Sequence, residues 1–306
     1  MQLFKNKILL LKACRPNQWT KNLIIFSAPL FAFKYSSEIW IPSIYATFSF
    51  CLISSAIYLI NDVLDIETDK KHPVKCNRPI ASGKVNIKTA IFASFILGCL
   101  SILISIRINL GLSFLIFLYA FIQFIYCIKL KKKPLLDIFC ISSGFLIRSL
   151  AGLVSSDLKL SPWFILSIGL LALFLAVEKR KAELMIIESR SIVTREVLKF
   201  YSLPLLLRLE SSLATSAFMS YSLWASGPLL NGAPTSLMLI TVPFVLLGIF
   251  RYQMLSDPYY PLNKSKKIKY FTEQPESVLL KDQGIKTIVL AWLLLTILIG
   301  FVNAKF

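Results

Sequence analysis

The sequence predicts an all-α integral membrane protein, a bundle of nine spanning helices with its polar chemistry gathered at one face of the membrane. Three observations carry this. Hydrophobic residues make up 56% of the 306 residues and the mean hydropathy is +0.68, values that do not suit a surface facing water. Apolar stretches recur along the whole chain at close to the ~20 residues that cross a hydrocarbon core of roughly 30 Å, without the alternation of a membrane barrel. The basic residues are distributed about those stretches as they are on the two sides of a bilayer.

In chain order, spans are expected over 22–33, 39–60, 87–105, 109–128, 135–154, 162–178, 205–226, 234–252 and 284–302. The first and sixth are short, and Trp19 and Trp163 stand where each would gain a turn at the membrane interface. The apolar start at 8–11 is broken at once by Lys12 and Arg15, so no cleavable leader is expected. The chain reads as one membrane domain, 1–306, with long polar segments at 61–86, 179–200 and 253–283, the first two supplying most of the site. With the N-terminus in the cytoplasm, the 34 basic residues all fall in inside segments except Lys34, Arg107, Lys159 and Lys305 outside and Arg148 and Arg208 within spans. Of the 16 acids, only Glu38 and Asp157 lie outside. The expected placement is therefore the inner, cytoplasmic membrane, with the N-terminus and active site cytoplasmic and the C-terminus outside.

A net charge of +18 raises nucleic acid as a partner, but cations spread between membrane spans reflect topology and anionic headgroups more simply, and no nucleic acid is expected. Membrane lipids and, on the outer helix faces, a second copy in a homo-oligomer are compatible partners. The cysteines, at 14, 51, 76, 99, 127 and 140, show no CxxC pairing and mostly lie in apolar runs, so they read as small hydrophobes.

The most informative stretch is Asn61-Asp62-Val-Leu-Asp65-Ile-Glu67-Thr-Asp69, at the inner end of the second span. On a continuous helix Asp65 lies about 60° and Asp69 about 20° from Asp62, so these three carboxylates share a face and Glu67 does not. Like charges this close need a cation among them, and hard oxygens suit Mg²⁺, or Mn²⁺ in its place, bridging to phosphate. A solvated, acid-rich helix end is the plainer alternative. Downstream, Lys75 and Arg78 lie in a loop stiffened by Pro73 and Pro79 and would neutralise further phosphate charge. Acids followed by cations point to a metal-bound diphosphate, and His72 reads as a structural loop residue.

This NDxxDxxxD element, followed by HPxKxxRPIASG, resembles the first signature of the UbiA superfamily of intramembrane prenyltransferases. The resemblance implies a nine-helix bundle with a cytoplasmic-facing active-site cavity. Arg15-Pro16-Asn-Gln18-Trp19-Thr-Lys21-Asn22 is similar to the opening of that superfamily's phosphoribosyl branch, the decaprenyl-phosphate 5-phosphoribosyltransferases. So are Ser143–Gly152, Glu178–Leu184, Phe250-Arg251-Tyr252, Pro275-Glu276 and Asp282. Aromatic-acceptor members resemble one another in a second aspartate motif after the sixth helix. Here that position reads Lys179-Arg180-Lys-Ala-Glu183, two cations and one carboxylate on one helical face. The composition suits a donor with an additional phosphate, such as 5-phosphoribosyl 1-diphosphate; a positive-inside helix flank is the plainer alternative, which accounts for Lys179 and Arg180 but not for Glu183.

Other polar positions keep two readings each. Asp137 and Arg148 are 11 residues apart, hence about 20° around one helix, with Gly144 between them and Gly152 beyond. Arg148, well inside a span, either binds the acceptor phosphate or pairs with an acid elsewhere in the bundle; the glycines read as packing positions. Lys21 is a membrane-interface anchor or, as the resemblance implies, a site residue. Tyr126 shapes the sugar pocket or sits at the interface.

The expected function is Mg²⁺-dependent transfer of 5-phosphoribose to a polyprenyl, decaprenyl-like phosphate with release of diphosphate, in cell-envelope glycan precursor synthesis. Asp62, Asp65 and Asp69 are the expected catalytic metal ligands. Lys21, Asn61, Lys75, Arg78, Tyr126, Arg148, Lys179, Arg180 and Glu183 are the expected substrate-binding residues. The rival enzyme moves an allylic prenyl group to a small aromatic acceptor and should prefer a second acidic motif. A transporter for an anionic solute would place charges near the midplane, whereas here they collect on one side.

Overall fold

The computed structural model of the chain describes residues 2–71, 75–159, 161–190, 196–257, 278 and 281–305, with the side chains of 2–7, 186–190 and 304–305 left aside. His72, residues 191–195 of the second polar segment, and most of 253–283, including Pro275 and Glu276, lie outside the described residues.

The described residues are helical with short connections. In order they form α1 (Gln2–Ala13), a 3₁₀ helix (Pro16–Phe26), α2 (Ser27–Phe31), α3 (Ser37–Leu64), α4 (Ile66–Lys70), α5 (Ile87–Ile108) and α6 (Leu110–Ile128). Then follow α7 (Leu136–Ser155), α8 (Pro162–Arg190), α9 (Leu203–Ala225), α10 (Val242–Ser256) and α11 (Gln283–Lys305). Polar side chains mark several starts: the side-chain oxygens of Asn86, Asn109 and Ser202 accept from the first-turn amides of Lys88, Leu112 and Leu205, satisfying donors that a helix cannot satisfy itself.

Among the described residues, seven helical stretches are long and apolar enough to cross a membrane: 37–64, 87–108, 110–128, 136–155, 162–185, 236–256 and 283–303. Each overlaps one of the expected spans over most of its length. The expected span at 22–33 falls instead on the 3₁₀ helix and the five-residue α2. The one at 205–226 falls on α9, a full helix interrupted by Arg208, Glu210 and several hydroxyl residues.

α3 and α7 form the centre, each with 61% of its apolar stretch buried, against 22% for α5 and 28% for α6, which present Phe95, Phe114, Phe117 and Phe121 outward. The central packing joins Ile25 of the 3₁₀ helix with Phe50, Leu112, Ile116, Tyr119, Ile147 and Ala151. Gly152 makes that packing sterically feasible, because a Cβ there would stand 2.0 Å from the Ile25 carbonyl oxygen. The 3₁₀ helix is thereby seated directly on α7.

A second buried arrangement joins α8, α9 and α10. The Lys181 ammonium donates to Glu178 Oε1 at 2.9 Å, to Ser256 Oγ at 3.0 Å and to Glu210. This explains how α9 carries an acid against apolar neighbours. α10 and α11 are tied by Arg251, whose Nε and Nη2 donate to Asp282 at 3.2 and 2.9 Å, while Asp282 caps α11 through the Ile285 amide at 2.8 Å.

The hydrogen bonds from Arg251 hold the Asp282 carboxyl below its ordinary value of 3.8. A lowered folded-state pKa stabilises above the unfolded value and loses that contribution as the pH falls through the folded one. Asp282→Asn is therefore expected to lower the thermal unfolding temperature at pH 7, with the gap from wild type closing below about pH 3.8. Melting curves in detergent across that range check it; an equal gap at both ends contradicts it.

Candidate active site

The acidic segment does not run on as one helix. α3 ends at Leu64, Asp65 takes φ −97° and ψ 7°, and α4 restarts at Ile66. The expected alignment of three carboxylates on one face is therefore broken at its middle member. Asp62 and Asp69, both buried, still converge: Arg78 Nη1 donates to Asp62 Oδ1 at 3.2 Å and to Asp69 Oδ2 at 2.6 Å. Asp62 also takes a hydrogen bond from Arg15 Nη2, whereas Asp65 turns away to Lys131 Nζ.

The local chain explains this placement. Arg15 has a left-handed backbone, φ 53° and ψ 62°, at the bend from α1 into the 3₁₀ helix, and its guanidinium lies over the Tyr58 ring at 5.0 Å. Arg78 sits in a tight coil in which its amide donates to the Lys75 carbonyl and its own carbonyl accepts from Ser82. Asn61 contributes its carbonyl to the Asp65 amide at 3.0 Å, closing the last turn of α3. Lys131 lies in the short 3₁₀ turn Leu130–Lys132 between α6 and α7.

A second polar group stands on α6, α7 and α8. Arg180 is fully buried, with Nε donating to Asp137 Oδ2 at 2.6 Å, Nη1 to Glu183 Oε2 at 2.5 Å and Nη2 to the Tyr126 hydroxyl at 3.3 Å. Asp137 also accepts from the Tyr201 hydroxyl at 2.6 Å. Tyr201, just outside the spans, has its phenol pushed up by burial and by that bond, so it remains a neutral donor throughout the physiological range. Of the expected face, Arg180 and Glu183 are paired with each other, and Lys179 is half-buried beside them.

Arg148 belongs to neither group. Its Nε, Nη1 and Nη2 donate to Asn22 Oδ1 at 2.6 Å, the Gly144 carbonyl at 2.7 Å and the Tyr119 hydroxyl at 2.9 Å, and it lies over the Tyr119 ring at 4.6 Å. Its hydrogen-bond partners among the described residues are neutral, not an acid. Lys21, one residue from Asn22, lies within electrostatic reach of the Tyr119 hydroxyl. Tyr119 and Tyr126, two turns apart on α6, thus meet one buried arginine each.

Sequence reasoning left out Arg15, Lys131 and Tyr201 as site residues. Arg15 stood in a quoted motif, but its pairing spans 47 positions, and Lys131 looked like any other inside-facing cation. Among the described residues no three His, Cys, Asp or Glu side chains are gathered to hold a metal; the carboxylates face protein cations instead. Hard carboxylate oxygens that draw cations from three separate elements have the donor chemistry of a divalent-metal site.

The profile of the UbiA prenyltransferase family matches residues 23–272. The chain is 36% identical over 297 residues to the decaprenyl-phosphate phosphoribosyltransferase of Mycolicibacterium smegmatis, covering 93% of this chain and 90% of that one. It is 33% identical over 305 residues to the enzyme of the same name from Corynebacterium glutamicum, covering 97% and 88%. In fold it is similar to a UbiA homolog from Archaeoglobus fulgidus bound to GPP and Mg²⁺, with TM-score 0.70 and 16% identity over 97% of this chain and all of that one. An all-helical membrane fold, an aspartate-rich break at the end of α3 and these matches lead to one conclusion: the chain belongs to the UbiA prenyltransferase family.

Proposed function

We propose that this protein transfers 5-phosphoribose from 5-phosphoribosyl 1-diphosphate to a polyprenyl, decaprenyl-like phosphate, releasing diphosphate for cell-envelope glycan precursor synthesis. The observation that carries the reading is the Arg180 group. Where a second acidic motif would serve an aromatic-acceptor prenyltransferase, this chain places a buried arginine held by Asp137 and Glu183, with Lys179 beside it. The names of relatives similar over nine-tenths of the chain point the same way.

In this reading 1–306 is one membrane domain of nine membrane segments, the 3₁₀–α2 stretch and α9 completing the seven long apolar ones. The site opens to the cytoplasm in the inner membrane, and the C-terminus lies outside. Asp62, Asp65 and Asp69 would hold Mg²⁺, or Mn²⁺ in its place, which supplies charge neutralisation for a departing diphosphate. Arg15 and Lys131, each hydrogen-bonded to one of these carboxylates, and Arg78, hydrogen-bonded to two, put three cations where diphosphate oxygens bind, joined by Lys75 and Lys21. Lys179, Tyr126 and Glu183 receive the ribose 5-phosphate and hydroxyls, and Asn61 and Arg148 border the site. The C1–oxygen bond of the donor breaks and diphosphate leaves with its electron pair. A lipid phosphate oxygen, already anionic and needing no strong base, forms the new bond on the opposite face.

The test is transfer by purified protein in detergent, with ribose-labelled donor and polyprenyl phosphate. Label should enter the lipid extract with Mg²⁺ and fall at least about a hundredfold on chelation. Unlabelled lipid together with prenylation of an aromatic acceptor would overturn the reading.

A further inference from the structure

We propose that Tyr201 is a positioning residue whose single hydroxyl sets the Lys131 turn and the Arg180 group at the same time. The inference rests on the phosphoribosyl reading above, in which Lys131 meets the donor's diphosphate and the side chains around Arg180 meet its ribose 5-phosphate.

The hydroxyl makes two bonds in different directions. It accepts from the Leu135 amide at 2.7 Å and donates to Asp137 Oδ1 at 2.6 Å. Leu135 has a positive φ, 65° with ψ −48°, a backbone conformation that costs energy for a residue with a side chain and needs an outside hold to persist. It is the hinge through which the basic turn at 130–132, carrying Lys131 onto Asp65, enters α7. The other oxygen of Asp137 accepts from Arg180 Nε at 2.6 Å. One phenol oxygen therefore joins the chain entering α7, the buried acid of its first turn and, through that acid, the guanidinium on α8.

The hold is rigid because Tyr201 itself is fixed. It is 6% exposed and packs with Ile138, Val177, Val197, Leu198 and Leu206 between α7, α8 and α9. A phenol in such a place keeps its position after its oxygen is removed, so Tyr201→Phe takes away the two bonds and little packing. The Leu135 amide then lacks its acceptor, and Asp137 is free to turn with Arg180.

Tyr201→Phe and wild type, both full-length in detergent, are compared by hydrogen exchange over 129–137 and by steady-state kinetics. Exchange at the Leu135 amide should rise at least about tenfold, and KM for 5-phosphoribosyl diphosphate about tenfold, with KM for polyprenyl phosphate within about twofold of wild type. In a Lys131→Met background the same change should raise the donor KM by clearly less than about tenfold, because one of the two cations being positioned is gone and only the Arg180 arm remains. Unchanged exchange overturns the assignment whatever the substrate proves to be. So do equal rises in both KM values, or the same tenfold effect without Lys131. Wild-type protein that never consumes the donor overturns the functional reading instead, while the exchange comparison still tests the Tyr201 hold.

Discussion

Asp65→Asn is expected to abolish transfer, lowering kcat by more than about a hundredfold, while the chain still inserts, purifies and melts close to wild type. Asp65 differs from its neighbours in having one ion-pair partner among the described residues, Lys131, and a side chain 25% exposed, whereas Asp62 is buried between two arginines. Its carboxylate therefore contributes little to the fold, and its loss reports on the reaction. An amide keeps the shape but offers a single, weaker oxygen ligand and no charge, which removes one metal ligand and leaves the Lys131 ammonium without its counter-charge. Full activity in this variant would remove the metal role of the acidic segment.

Arg180→Met is expected to act on stability as well as on activity. Its guanidinium is wholly buried, and Asp137 and Glu183 both lean on it, so its loss strands two acids away from water, at a cost of about 3–5 kcal/mol. Thermal unfolding in detergent should show a large drop or a failure to purify. Neutralising the cluster together, as Arg180→Met with Asp137→Asn and Glu183→Gln, should recover much of the fold while the donor KM stays high. A single variant that melts with wild type would mean that the two acids do not depend on this arginine.

The sequence was most legible where one physical rule dominates. Hydrocarbon length and the positive-inside asymmetry located seven stretches that the structure also makes long and apolar. They could not say that 22–33 would be seated as a 3₁₀ helix on Gly152, because that depends on a backbone contact between distant segments. At the site, spacing brought out Asp62, Asp65 and Asp69 but assumed an unbroken helix, and the break at Asp65 sent the middle carboxylate to Lys131. The partners that matter most, Arg15 for Asp62, Lys131 for Asp65 and Tyr201 for Asp137, lie 47, 66 and 64 positions away and carry no local signature. Arg148 had two open readings; its described partners are an amide oxygen, a carbonyl and a phenol, which leaves its positive charge without a nearby acid among the described residues.

The most direct measurement gives the purified protein a choice of donors. It is incubated with polyprenyl phosphate, an aromatic acceptor, 5-phosphoribosyl diphosphate labelled in its ribose, and a prenyl diphosphate, in the presence of Mg²⁺, and the lipid products are identified by mass spectrometry. The account predicts one new lipid, a polyprenyl phosphate carrying the labelled ribose with its 5-phosphate intact, formed together with an equal amount of diphosphate. A prenylated aromatic product with the labelled donor untouched would contradict it.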